Sequence, residues 1–556
     1  MKKPSYIFVS GGVMSSLGKG ITSASISLLL QRSGFTVCPI KCENNLNVDF
    51  GTLNPIEHGD PFLCADGLEA DLDLGNYERF LNIEVGHRNF MTMGQLYKTV
   101  IDRERNMGYG GEDVEPIPHV TDEIIRRIRK AGKDSKADFV VIELGGTVGE
   151  YQNNNALYYE ASRVMALTED KVMHVHVTYV PVPPHVGEPK TKPAQLGIKD
   201  LMAMGISPDI VVVRSELPFD ERRQYKFSQK FNLKPDAVFS NENLETIYEV
   251  PIHLEKQGII PVILKKLKVR SRNEPDLTAW KKLVHTIKKN KKNRVTLGIV
   301  GKYFRSGSSQ LLDAYYALFE AIRHASWAQD CAIDFVYVDS EREEDNIIER
   351  LKGVDGVIVP IGWGKRGVPG KLKAIEYVRK NKIPYLGLCY GMQLACVEYA
   401  QNVLKLRGAD TQENNPEAKH KIIHSIPFDS KYQTIKGEGT SMRLGSYDCV
   451  LKHSTVAHKI YTKHDAFKDA RKDIISERHR HRFEFNNEYR EMLEKSGFVF
   501  SGTSPDNFFV EFIELPQKEH PFFIATQGHP EYKSRPEHPH PLFLEFFRAA
   551  IKHKEK

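Results

Sequence analysis

The sequence predicts an α/β fold built on parallel sheets, arranged as two successive domains. Three features carry this prediction. Short, continuously apolar runs of strand length recur between helical segments, a lysine- and arginine-rich stretch interrupts them near the middle, and the same alternation restarts beyond it. Runs that are apolar at every position mark strands buried on both faces, as parallel strands covered by helices are.

In the first half, Tyr6-Ile7-Phe8-Val9 ends at Ser10-Gly11-Gly12, and a helical pattern starts near Lys19. A second run, Phe139 to Ile142, leads into Glu143 and the turn Gly145-Gly146, and further strands are expected at Val172 to Val180 and Ile210 to Val213. Between Lys265 and Arg294 the lysines cluster, which reads as a solvated linker carrying one helix around Leu277 to Ile287. Beyond it, Val295 to Val300, Val354 to Pro360 and Pro384 to Gly387 repeat the strand pattern without sharing motifs with the first half. The expected division is therefore a first domain over 1–268, a basic linker over 269–294 and a second domain over 295–556.

With 556 residues, 40% of them hydrophobic and 27% charged, the chain is globular and too long for a single core. Its 78 basic and 72 acidic groups nearly cancel, leaving +6, too little to suggest a nucleic-acid binder. Seven cysteines with no CxxC pair argue against a disulfide framework or a cysteine zinc site and suggest a reducing, cytoplasmic setting. No signal peptide is evident, and the apolar stretch Ile21 to Leu30 is too short to span a bilayer.

Chemistry concentrates in a few segments. Gly11 to Gly20 lies between a strand and a helix, where glycines aim backbone N–H groups at a phosphate and Lys19 adds a full charge. It is not a standard Walker A: five residues separate Gly12 from Gly18, and Gly20 stands where a metal-binding Ser or Thr would be. Asp73, within Asp71-Leu72-Asp73, and Glu143, at the carboxyl edge of its strand, are placed to hold Mg²⁺ against phosphates, whereas Asp71 reads as a surface or capping residue. Lys190-Thr191-Lys192-Pro193-Ala194-Gln195 suits a triphosphate, although alone it equally describes a surface loop.

In the second half, Leu386-Gly387-Leu388-Cys389-Tyr390-Gly391-Met392-Gln393 runs from strand to helix with a thiol between glycines, the pattern of a nucleophile elbow. Cys396, in the same helix, reads as core. Gly528-His529-Pro530-Glu531 supplies a base with a carboxylate to orient it. The loop Pro360-Ile361-Gly362-Trp363-Gly364 follows a strand, and backbone N–H groups of Gly362 and Tyr390 are expected to form an oxyanion hole.

Taken together, Gly11 to Gly20, Asp66-Gly67, Asp71 to Phe80, Glu143 to Gly149, Lys190 to Gln195 and the elbow resemble the CTP synthase family, in order and over nearly the whole chain. The resemblance implies a P-loop-like synthetase domain joined by the basic linker to a class I glutamine amidotransferase domain. It implies that Ser15, Ser16, Leu17, Gly18, Lys19 and Gly20 cradle ATP phosphates, that Lys41 faces the reacting phosphates, and that Asp73 and Glu143 hold Mg²⁺. UTP, or CTP as feedback inhibitor, would meet Ser15, Glu150, Tyr151, Gln152, Lys190, Thr191, Lys192, Pro193, Ala194, Gln195 and Lys226. Glutamine would meet Gly362, Tyr390, Gly391, Met392, Gln393, Glu413 and Arg482, with Cys389, His529 and Glu531 as the catalytic set.

In that family ATP phosphorylates O4 of UTP and ammonia from glutamine displaces the phosphate, with GTP as activator and a homotetramer as the assembly. The chain departs from the family pattern at Glu43-Asn44-Asn45, Glu150-Tyr151-Gln152, Ala194, Ile361, Trp363 and Gly528. The departure at 150–152 falls in the pyrimidine pocket and leads to an altered CTP inhibition as an expectation. An ATP-dependent amidotransferase with a different acceptor is the alternative that the motifs leave open, and a catalytically inert assembly protein conflicts with the intact site residues.

Overall fold

The computed structural model describes residues 3–54, 59–149, 155–306, 309–310, 313–342, 346–427, 433–434 and 441–556. The chain forms two compact units: residues 1–50 with 73–288, and residues 51–72 with 289–556. The segment 51–72, expected from its sequence position to belong with the first domain, packs instead within the C-terminal unit.

The first unit is built on seven parallel strands. These are β1 (Ser5–Gly11), β2 (Val37–Glu43), β3 (Phe90–Thr92), β4 (Phe139–Glu143), β5 (Val172–Tyr179), β6 (Ile210–Ser215) and β7 (Val238–Glu242). They lie in the order β3-β2-β4-β1-β5-β6-β7, and every neighbouring pair is parallel. The sheet interior is apolar at successive residues, from Tyr6 to Val9 and from Phe139 to Ile142, because helices cover both faces. Helix α1 (Lys19–Arg32) follows β1 directly and is buried over most of its length, with Ser25 and Ser33 returning their hydroxyls to backbone carbonyls one turn back. This satisfies Ser25 and Ser33, whereas the buried Ser23 and Ser27 hydroxyls have no hydrogen-bond partner among the described residues.

Helix α2 (Leu72–Leu81) brings Asp73 to this unit, and α3 (Lys192–Ala203) starts at the lysine loop. The basic stretch carries α4 (Thr278–Lys288), which is amphipathic and not wholly solvated as a linker would be. Its lysines Lys281 and Lys282 face water. Trp280 is completely buried, packs against Phe80 and Tyr248, and donates its indole N–H to the Tyr248 carbonyl at 2.7 Å.

The second unit holds a ten-stranded mixed sheet. Strands β8 (Asn293–Gly301), β9 (Cys331–Asp339), β10 (Gly356–Val359) and β11 (Tyr385–Leu388) run parallel, as does Phe523–Thr526, which pairs with β11. Then come β12 (Ser441–Leu451), β13 (Ile474–His481), β14 (Val499–Thr503), β15 (Val510–Glu514) and β16 (Phe523–Thr526). The order is β9-β8-β10-β11-β16-β15-β14-β12, with β13 paired to β12 and the strand Gln433–Thr434 beyond it. Successive side chains alternate between two cores. Val357, Val359, Tyr385 and Ala525 pack on one side, and Ile358, Leu386, Leu388 and Ile524 on the other. Each such fully buried aliphatic side chain contributes roughly 1.5–3 kcal/mol, so the central strand β11 sits in the most constrained part of the sheet. Helix α5 (Val368–Asn381) precedes β11, and α6 (Tyr390–Asn402) follows it after a single residue, Cys389.

Within this unit, Phe62–Leu63 pairs antiparallel with Glu69–Ala70 as a small hairpin. Phe62 meets the Tyr532 ring edge-on at 5.3 Å, and Leu63 accepts a bond of 2.8 Å from the Arg478 guanidinium. Arg480 pairs with Glu69 at 2.5 Å and with Asp60 at 3.1 Å, all in buried surroundings. Tyr532 also donates to Asp60, at 2.9 Å.

Candidate active site

Cys389 sits where β11 turns into α6, with φ 52° and ψ −101°. A side-chain-bearing residue is strained at such a φ, and strain of this kind persists only where the surroundings over-determine it. They do so here. The Cys389 N–H is tied to the Thr526 carbonyl at 2.8 Å, and a Cβ placed on Gly391 would lie 2.0 Å from the Val359 carbonyl oxygen. The glycine of the elbow is therefore a steric requirement of the strand packed behind it. Cys389 is the N-cap of α6, so its thiol lies at the partially positive end of the helix.

His529 and Glu531 follow β16, the neighbour of β11, on a short 3₁₀ turn. Glu531 Oε1 is 2.7 Å from His529 Nδ1, which orients the ring. Nε2 is buried with no hydrogen-bond partner among the described residues, and the ring interacts electrostatically with Cys389. Burial alone would drive the proton off His529, but Glu531 and Cys389 together outweigh it and push the imidazole up to about 10. Gln527 donates to Cys389 Sγ at 3.6 Å, and Gln393 donates to Gln527 Oε1 at 3.1 Å.

A cavity of about 300 Å³ opens over the thiol, lined by Trp363, Gly364, Cys389, Tyr390, Gln393, Glu413, His481, Arg482 and Phe483. Glu413 accepts the Gly364 N–H at 2.7 Å, so one acid fixes the loop after β10 and presents its remaining valence to the cavity. Burial raises the Glu413 carboxyl, opposed by Gly364 and by Lys302. Of the residues expected at glutamine, Met392, Gly391 and Gly362 do not line this cavity: Met392 has its side chain wholly in the core, and Gly391 is pressed against Val359. Gly362 lies next to the lining residue Trp363. A Cβ on Gly362 would sit 2.6 Å from Nζ of Lys371, a completely buried lysine that donates to the Pro360 carbonyl at 3.2 Å. Burial, with the charge of Lys302, pulls Lys371 down to about 7.

In the first unit, parallel register pairs Lys41 with Glu143 at the carboxyl ends of β2 and β4. Lys41 Nζ lies 2.8 Å from Glu143 Oε1, 2.6 Å from Asp73 Oδ2 and 3.2 Å from Glu43. Tyr77, one helical turn after Asp73, donates to the other Glu143 oxygen at 2.5 Å, and Asn76 donates to Asp73 at 3.2 Å. Lys19 is buried and donates to the Gly146 carbonyl at 2.8 Å. Burial and the charge of Lys41 lower the Lys19 ammonium, and burial raises the Glu143 carboxyl. Burial acts against the Asp73 charge too, but Lys41 and Lys19 hold that carboxyl below its usual range. A Cβ on Gly20 would lie 2.2 Å from Asp73 Oδ1. This explains the glycine at the Walker serine position: the acid occupies the space a side chain would need.

Ser15 and Ser16 are exposed, Ser16 at φ 57°, and Gly18 caps α1 at φ 86°. Leu17, expected at phosphate, buries its side chain and can offer only its backbone. Ala194 is likewise a core residue, packed with Val180 and Ile198, whereas Lys192 and Lys226 are exposed. Lys190 is ion-paired with Glu188, Thr191 accepts from Gln195 at 2.8 Å, and Pro193 sits in the first turn of α3. Glu150, Tyr151 and Gln152 lie outside the described residues.

Sequence reasoning missed Tyr77, Lys371 and Gln527. Tyr77 carried a signal, since i, i+4 spacing from Asp73 places both on one helix face. Gln527 had only its adjacency to Gly528-His529. Lys371 carried no signal, being one of several lysines in a helix.

Fold and thiol site together define a class I glutamine amidotransferase unit, coupled in one chain to a parallel-sheet unit that gathers lysines and carboxylates at the carboxyl edge of its sheet. The family models agree: residues 5–269 match "CTP synthase N-terminus" and residues 310–549 match "Glutamine amidotransferase class-I". The CTP synthase of Halalkalibacterium halodurans is 44% identical over 98% of this chain and 99% of its own. That of Pyrococcus furiosus is 45% identical over 99% and 98%. The glutaminase domain of Trypanosoma brucei CTPS with bound acivicin is 35% identical, covers 46% of this chain and 94% of its own, and has a TM-score of 0.41. The chain belongs to the CTP synthase family. The alternative of a different acceptor is not favoured by these matches. Among the described residues no helix is long and apolar enough to cross a membrane.

Proposed function

We propose that the chain aminates UTP to CTP at the expense of ATP, using ammonia that its C-terminal unit cuts from glutamine. The observation that carries the glutaminase half is the strained, immobilised Cys389 with the His529–Glu531 pair beside it. His529 holds the proton shed by the thiol as an imidazolium, and the sulfur adds to the glutamine carboxamide carbon. The resulting oxyanion is met by N–H groups at Gly362 and Tyr390, and the same proton passes to the departing nitrogen, which leaves as ammonia. Water, deprotonated by His529, then splits the thioester to glutamate and restores the thiol. Gln393, Glu413 and Arg482 hold the substrate's amino and carboxylate ends.

In the N-terminal unit, ATP transfers its γ-phosphoryl group to O4 of UTP. Ammonia adds at C4, and phosphate and a proton leave. Ser15 to Gly20 hold ATP phosphates through backbone N–H groups and Lys19, and Lys41 faces the transferred group. Lys190 to Gln195 and Lys226 take the UTP triphosphate, and Glu150 to Gln152 contribute to the pyrimidine pocket where CTP inhibits. Asp73 and Glu143 fit a divalent cation: one oxygen of each converges on a single cationic nitrogen, and both are the hard donors Mg²⁺ prefers. When bound, Mg²⁺ supplies neutralisation of triphosphate charge. GTP activation, a homotetramer and a reducing cytoplasmic setting complete the reading, the last supported by seven free, buried cysteines.

The test is ultraviolet detection of CTP from UTP, ATP and Mg²⁺ with either glutamine or ammonia, with and without GTP. Absence of CTP from both nitrogen sources would overturn the assignment.

A further inference from the structure

Away from both sites, one cluster in the C-terminal unit has the makings of a metal centre. His453 lies in the turn after β12, His458 in the first turn of α7 (Val456–Lys463), and Asp473 immediately before β13. His453 Nε2 is 2.8 Å from Asp473 Oδ2, and His458 Nε2 is 3.0 Å from Asp473 Oδ1. One ligand atom from each residue lies within 4.8 Å of the other two. A tetrahedral ion with bonds of about 2.0–2.1 Å needs its ligands only about 3.3 Å apart, so small side-chain rotations close the set.

The ligands are held from behind. The Thr455 hydroxyl caps α7 by accepting the His458 N–H at 3.2 Å, fixing the backbone of that histidine. Thr462 spends its hydroxyl hydrogen on the His458 carbonyl at 2.8 Å, and its oxygen faces His458 Nδ1 at 3.5 Å. The Asp473 carboxylate only accepts, so without an ion His458 Nε2 donates to it; with one, the ring proton moves to Nδ1, where the Thr462 oxygen accepts it. Outer-shell orientation of this kind is usual for ligating histidines. Asp473 adopts φ 53°, an unfavourable angle for a residue with a side chain, and its carbonyl accepts the Leu451 N–H at 3.0 Å. The two imidazoles stand 4.6 Å apart and share one carboxylate. A cation that replaces the two Nε2 protons would meet two lone pairs and an anion at one point.

We propose that His453, His458 and Asp473 form a site for a divalent transition metal of the Zn²⁺, Ni²⁺ or Co²⁺ class, separate from any Mg²⁺ at the nucleotide phosphates. Imidazole donors select these ions over Mg²⁺ and Ca²⁺. The ion ties the turn after β12 and the start of α7 to the start of β13, a clamp on the hairpin that carries His481.

The test is a calorimetric titration of the full chain with Ni²⁺ after alkylation of the Cys389 thiol, which would otherwise compete for the ion. One equivalent should bind, and His453→Ala should weaken binding by about tenfold or more. The His453 side chain is 76% exposed, so its removal leaves the fold intact. His458→Gln should act in the same direction, with circular dichroism confirming that α7 persists. Co²⁺ should give visible bands of low coordination number in the parent and none in His453→Ala. Equal Ni²⁺ affinity in parent and His453→Ala, or no saturable binding below millimolar Ni²⁺, would overturn the proposal.

Discussion

Lys41 and Glu143 are register partners on adjacent parallel strands, and the lysine ammonium stands 2.8 Å from the buried carboxylate while also touching Asp73. One ammonium thus holds two carboxylates together at the carboxyl edge of the sheet, where the proposed reading puts phosphate and cation. Lys41→Met and Glu143→Gln should each abolish CTP formation from glutamine and from ammonia, a loss of at least about 100-fold. Glutamine hydrolysis measured alone should persist. Ammonia-dependent synthesis near the parent rate in either variant would remove that residue from the site.

Cys389→Ala separates the two chemistries in the opposite sense. Glutamine-dependent CTP formation should vanish and ammonia-dependent formation should stay within about twofold of the parent, because the thiol serves only the amide. Continued use of glutamine would show that another nucleophile operates.

The His529–Glu531 pair also makes a statement about pH. His529 is raised to about 10 in the folded chain, against about 6.5 when unfolded. The folded state therefore holds this proton more tightly. The stabilisation is fully present below pH 6.5 and is lost as pH rises through 10. Thermal melts of the parent and Glu531→Gln should differ most below pH 6.5 and converge towards pH 10. A difference that grows at alkaline pH would contradict the assignment.

Lys371 is buried with no carboxylate in ion-pair contact among the described residues, and burial pulls its ammonium down to about 7. Such a group costs stability, so Lys371→Met should melt no lower than the parent. It donates to Pro360, the first residue of the loop carrying Gly362, so its loss should loosen the oxyanion hole. Glutaminase turnover should fall roughly tenfold with little change in KM, the signature of an interaction made in the transition state. A rise in KM at unchanged turnover would place Lys371 in substrate binding instead.

Much of both sites was legible because their chemistry is local in sequence. The elbow needs a strand, small neighbours and a helix in one stretch, and His529 and Glu531 are two residues apart. Strands buried on both faces announce themselves as unbroken apolar runs. What stayed hidden depends on distant partners. A lysine in α5 reads as solvent-facing until the loop packed over Lys371 is known. Likewise, Ala194 and Met392 sit inside functional motifs, yet their side chains serve the core. The lysines of 281–292 concealed Trp280, whose burial sets the position of α4. The segment 51–72 gave no sign of its allegiance, since Asp60 and Glu69 find their partner more than 400 residues later.

That last pairing bears on how the molecule comes into being. Residues 51–72 leave the ribosome early, but Arg478, Arg480 and Tyr532, against which they settle, are among the last to be made. The N-terminal unit can complete its sheet while this loop still waits, and only the arrival of β13 and the turn after β16 gives Asp60 and Glu69 their counter-charge. A fragment cut at the basic stretch would keep Cys389, His529 and Glu531 yet leave the Arg480 guanidinium without either acid. An excised C-terminal half is thus an amputated domain, and grafting 59–72 onto it is the simplest way to restore what the cut removes.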